Sequence, residues 1–326
     1  MNNFIGVLTS PWAIEPAKLL EIQAIYAARI RGDKIDIEAI EKRLGRPMAN
    51  EPRAYTIDSG VAILPIEGVI AKKMNMLTQI SGGTSTQIAA QALQDALNDP
   101  GVHSIILAID SPGGTVDGTQ DLANAVYAAR QIKPVVTLAS GCICSAAYWI
   151  GSAAQSVFLA DGTTQAGSIG VVSTHTDISG SQAAQGVKTS EITAGRYKRI
   201  ASNYAPLSEE GRQTIQNQVD YTYSLFVEAV AKNRGVSTAT VLRDMADGKV
   251  FVGKQAIDAG LADGIVTMPN LVSMLNKDRT AAKAASASAA NRPKTRAELD
   301  QAAKNYMRSR PGTDYLSAVK AVERLA

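Results

Sequence analysis

Three short stretches carry side chains that could do chemistry together. The first is Gly141-Cys142-Ile143-Cys144-Ser145-Ala146-Ala147-Tyr148-Trp149. A β-type run ends at Ala139-Ser140 and small, helix-compatible residues begin at Ser145. The Ser145 hydroxyl is therefore expected at a helix N-terminus, where unpaired N–H groups and the positive dipole end gather. A serine there can attack a carbonyl while the Ala146 N–H receives the developing oxyanion. It can equally be an N-cap, the common role of serine at that place. The second stretch is Asp110-Ser111-Pro112-Gly113-Gly114, directly after an apolar run. Two glycines behind a proline suit a tight turn whose N–H groups hold an oxyanion, and they also suit a plain strand-to-helix turn. The third is Thr193-Ala194-Gly195-Arg196-Tyr197-Lys198-Arg199. A serine nucleophile needs a base, and the chain has only 2 histidines. A lysine can serve if desolvation lowers its pKa from about 10.4 towards neutrality. Lys198 follows Ile192 and a glycine turn that could deliver it into a cleft; flanked by Arg196 and Arg199, it also reads as a surface lysine.

Other residues compete for these roles. His175, in Ser173-Thr174-His175-Thr176-Asp177, offers a Ser145–His175–Asp177 triad, because neutral histidine acts as a base with no large pKa shift. The alternative is a histidine near a strand end that bonds locally. Cys144 beside Ser145 reads as a small buried thiol. Two cysteines and two histidines so scattered make no metal site. Cys142 and Cys144 are too close in sequence for an ordinary disulfide.

The elements that must position these residues alternate. Strand-like runs are expected at 61–70, 104–109, 135–138, 157–159, 169–172 and 250–252. Helical periodicity appears at 15–45, 89–97, 122–132, 208–234, 237–246 and 256–261, with a further helix starting near Ser145. Such alternation predicts an α/β domain on a mostly parallel sheet. The Ala/Ser/Lys stretch 281–290 reads as a linker or frayed helix, exposed enough to be cut, and 295–326 as two short helices split at Pro311-Gly312. Of the 326 residues, 45% are hydrophobic and 19% charged, which suits a folded core. A net charge of +3 gives no nucleic-acid footprint. The opening residues lack a basic n-region and a long apolar run, so neither a signal peptide nor a membrane anchor is expected. The low cysteine count favours a reducing compartment.

Taken in order, the motifs resemble a known family. Ser111-Pro112-Gly113-Gly114, Ser145-Ala146-Ala147-Tyr148, Ala166-Gly167-Ser168-Ile169-Gly170-Val171, Gly195-Arg196-Tyr197-Lys198 and Asp247–Ala256 are similar to the signal peptide peptidase A group of Ser–Lys serine peptidases, family S49. Within that group the chain looks most like phage and prophage capsid-assembly (head-maturation) proteases, which Ser10-Pro11-Trp12-Ala13-Ile14 also resembles. The resemblance spans about residues 58 to 268 and implies roles. Ser145 would be nucleophile and Lys198 base, Ser168 would orient the lysine, and Gly113, Gly114 and Ala146 would frame the oxyanion hole. It implies a ClpP/crotonase-type spiral of ββα units over 55–270, between an N-terminal helical arm (1–54) and a linker with helical tail (271–326). It further implies a homo-oligomeric ring, no cofactor, and peptide substrates such as scaffold, capsid proteins or the chain itself, met in the host cytoplasm or inside a procapsid. Two rivals share the fold: a crotonase-type acyl-CoA enzyme, and a degenerate peptidase kept as a scaffold component.

Overall fold

The structure, a computed structural model, describes residues 12–14, 55–73, 82–290, 296–310 and 312–325. The helix expected over 15–45 lies outside them. The chain divides into two compact units, 1–270 and 271–326.

The first unit is a mixed α/β structure built on one sheet. Its centre is three long parallel strands: β3 (Val61–Ala71), β5 (Ser104–Thr115) and β6 (Val135–Cys144). Their apolar runs are covered on both faces; Ile105, Ile106, Leu107 and Ile109 are all fully buried. β7 (Ser156–Leu159) and β10 (Gly264–Ile265) extend the sheet beyond β6 in parallel, and β2 (Thr56–Asp58) closes the other edge antiparallel to β3. Helices α1 (Thr86–Asn98) and α2 (Thr119–Ala129) bury alanine, leucine and valine in the same core.

The central strands change register partway along. The β3–β5 pairing shifts between Glu67 and Val69, and the β5–β6 pairing jumps from Ile109↔Ala139 to Ser111↔Ile143. Beyond this bulge the strands gain new neighbours: β4 (Gly83–Ser85) on β3, β8 (Gln165–Gly167) on β6, β9 (Val250–Val252) on β8, and β1 (Trp12–Ile14) on β5. Pro112-Gly113-Gly114 thus lies within β5, not in the turn its composition suggests. Gly114 is needed for close approach: a Cβ there would sit 1.8 Å from the Ile70 carbonyl oxygen. The strand expected at 169–172 is likewise displaced. Gln165–Gly167 forms it instead, because that stretch is in register with Cys142–Cys144, while Ile169 is buried without joining the ladder.

The later helices follow their capping signals. α3 (Ala146–Gly151) starts just after Ser145, and α4 (Ser179–Ala184) is a short exposed turn. α5 (Glu209–Arg234) is capped by Ser208, whose Oγ accepts from the Gly211 N–H, and ends at Gly235 in the left-handed region. Ser237 caps α6 (Thr238–Thr240), which loosens into a π turn over Val241–Met245. α7 (Lys254–Asp258) follows Gly253. The second unit holds most of α8 (Met268–Ala290), with α9 (Arg296–Ser309) and α10 (Tyr315–Leu325), of which Ala303 and Ala318 are fully buried. The Ala/Ser stretch 281–290 is therefore helical. No described helix is long and apolar enough to cross a membrane.

Candidate active site

Ser145 sits where β6 ends and α3 begins. Its N–H donates to the Gly167 carbonyl at 2.8 Å, and its own carbonyl accepts from Trp149 N–H at 2.9 Å, opening the helix. Its backbone is held at φ 55, ψ −119, a region that suits glycine. The residue stands at the N-cap position, yet its side chain caps nothing. Its Oγ is buried and has no hydrogen-bond partner among the described residues. A capping serine would show neither the strain nor the unpaired hydroxyl. Strain and an unsatisfied buried polar atom in one residue point to function.

The surroundings hold this turn from several sides. β8 lies beside the end of β6, with Cys144 paired to Gly167, so Ser168 is level with Ser145. Ser168 is 4% exposed, has φ 52, and donates its N–H to Lys249 O at 2.6 Å. On the other side, Ser111↔Ile143 places Gly113 level with Ser145. The buried Ser111 hydroxyl donates to Gly68 O at 2.6 Å and accepts from Gly113 N–H at 3.1 Å. Ala146 is the first residue of α3, where an N–H has no acceptor inside the helix. Beneath, Trp149 stacks on Phe226 with centroids 4.6 Å apart, and the Tyr148 hydroxyl donates to Leu261 O at 2.9 Å. Burial drives the Tyr148 phenol far above its ordinary range, so it stays a neutral donor.

The structure thus brings Ser145, Ser168, Gly113, Gly114 and Ala146 to one end of the sheet. Lys198 is exposed to solvent. It lies in an arm over 185–199 in which every residue is exposed, Ile192 at 99%. No hydrogen bond joins its ammonium to Ser145, whose hydroxyl is unpartnered among the described residues. His175 does not complete a triad either: its Nε2 is 3.0 Å from Ser202 O. Asp177 accepts from Ser179 N–H at 2.8 Å; the Ser179 hydrogen bonds, more than the nearby imidazole, hold its carboxyl below the usual range. Cys144 is fully buried.

Sequence reasoning gave no separate role to Ser111 or Asp110. Asp110 Oδ1 accepts from Cys142 N–H at 3.2 Å, with the Cys142 thiol donating to it at 3.6 Å. One residue of β5 thereby pins the bulge that leads β6 into Ser145. The signal for it was a lone carboxylate ending an apolar run.

Residues 128–282 match the sequence model of peptidase family S49. Capsid assembly protease C of Escherichia phage lambda is 34% identical over 225 residues, 69% of this chain and 51% of that protein. Head-tail preconnector protein GP5 of Enterobacteria phage P21 is 34% identical over 223 residues, 68% of this chain and 44% of that one. A putative signal peptide peptidase SppA of Enterococcus faecium is 28% identical over 239 residues, 71% and 68% of the two chains. Over residues 128–282 the chain is similar to peptidase family S49. It spans about half the length of the phage relatives.

Proposed function

We propose that the chain is a serine endopeptidase with Ser145 as nucleophile and Lys198 as general base. The observation that carries this is the buried, strained and unpartnered Ser145 hydroxyl at a helix start. Neutral Lys198 takes the Ser145 proton as Oγ attacks a peptide carbonyl. The Ala146 N–H and the Gly113-Gly114 backbone receive the oxyanion, the Gly113 N–H giving up its bond to the Ser111 hydroxyl to do so; Lys198 protonates the leaving amine, and water hydrolyses the acyl-enzyme. Ser168, level with Ser145, would orient the amine. The fold would be the ClpP/crotonase-type spiral over 55–270, with 1–54 as arm and 271–326 as tail.

A solvated lysine is a poor base, so the arm must be covered for this chemistry. Exposed Val187, Ile192 and Tyr197 give it the apolar surface to dock in an assembly. A homo-oligomeric ring would bury the arm and dry the amine. The name of one phage relative, a capsid assembly protease, supports capsid proteins as substrates; scaffold proteins, the host cytoplasm and a procapsid are what the family resemblance adds. Self-cleavage within 281–290 would require α8 to unwind there.

The test is cleavage of a candidate capsid or scaffold protein by the assembled chain. Ser145→Ala and Lys198→Ala should each lower the rate by about a thousand-fold or more, with assembly and circular dichroism retained. His175→Ala should keep most of it. Full activity in Lys198→Ala would remove the dyad.

A further inference from the structure

Strand β5 is covered on one edge by β3, which pairs Val69 with Gly113 and Ile70 with Gly114. Its other edge is covered by β6 only as far as Ser111↔Ile143. At Ser145 the chain turns away into α3, and the edge of Gly113–Thr115 passes to a different segment. Trp12–Ile14 pairs there antiparallel, as Trp12↔Thr115, Ala13↔Gly114 and Ile14↔Gly113. Since Gly113 is level with Ser145, Ile14 is the β1 residue whose register matches the candidate nucleophile. Ile14 is 3% exposed, so this is a seated segment.

A peptidase that holds its substrate as an added strand needs a free strand edge beside the nucleophile. This sheet has one, and the chain's own segment fills it. An edge takes one strand at a time, because each backbone N–H and C=O pairs once along it. We propose that Trp12–Ile14 is an internal substrate mimic: it occupies the peptide groove, competes with substrate, and shows that the groove takes an aliphatic side chain where Ile14 sits. This rests on the peptidase reading above. A tethered occupant acts at an effective concentration on the order of millimolar, so even a weak segment competes well.

Two measurements on the full chain test it. The first is KM for a fluorogenic peptide in Ala13→Pro/Ile14→Asp, which puts a proline into the added strand and removes the buried anchor. KM should fall by about five-fold or more relative to the parent; Ala13→Pro alone serves if the double variant is unfolded. The second is fluorescence anisotropy of a labelled peptide of residues 8–18, added to the same variant carrying Ser145→Ala. The peptide should bind, and its Ile14→Asp version should not. An unchanged KM, or failure of the parent peptide to bind, overturns the mimic. If no variant cleaves any peptide, the peptidase reading has failed, and the anisotropy result alone then upholds or overturns the assignment of the groove.

Discussion

Two short helices of the first unit begin from almost the same backbone turn. Gly253 precedes α7 at φ 49, ψ −115, and Ser145 precedes α3 at φ 55, ψ −119. Both donate their N–H to the β8 region, Gly253 to Thr164 O at 2.9 Å and Ser145 to Gly167 O at 2.8 Å. At Gly253 a Cβ would meet Gly162 O at 2.1 Å. Glycine is the structural solution to such a turn. At 145 the same turn carries a serine whose hydroxyl is buried and bonds to nothing described. The difference separates what folding asks of the turn from what chemistry asks of it.

The comparison can be broken at either site. Gly253→Ser should be the most damaging change, combining a positive φ with a backbone collision; a loss of about 3 kcal/mol in urea unfolding is expected. Unchanged stability would mean that the two turns are not equivalent. Tyr148→Phe tests the tie between them, since Tyr148 in α3 bonds to Leu261 O just beyond α7. It should cost about 1–2 kcal/mol, because it leaves a buried carbonyl unpaired. The loss should not vary between neutral and mildly alkaline pH, as the raised phenol stays protonated. Ser145→Gly should have the smallest effect and the opposite sign. Relief of about 1–3 kcal/mol of strain outweighs the roughly 0.5–1 kcal/mol of extra chain entropy. A variant that melts above the parent and cleaves nothing is the expected result; one that melts lower would show that Ser145 is at ease in its turn.

Much of this was legible in the residues. The apolar runs of β3, β5 and β6, the helix start at Ser145 and the long helix over 208–234 follow from periodicity and residue type alone. What was not legible depends on partners distant in sequence. Ser111–Thr115 reads as a turn because of its proline and glycines, yet β3 and β1 hold it extended. Gln165–Gly167 has less strand character than Ile169–Val172, and register with Cys142–Cys144 decides between them. Trp12–Ile14 gave no strand signal, because three residues become a strand only when an edge is offered. The Lys198 arm is the largest gap: its glycine turn suggested delivery into a cleft, and the single chain leaves it in solvent.

The bulged strands have a consequence for how the molecule breathes. β3, β5 and β6 each continue through their bulge from the core into the walls around Ser145, so that end of the sheet is tied to the core by the same strands. Its amides, Ser145 N–H among them, should trade their hydrogens with solvent only when the whole unit opens, long after the amides of the Lys198 arm have done so. Ser145 is then as durable as the core, and on the proposed Ser145–Lys198 reading the timing of the chemistry is set by the arm.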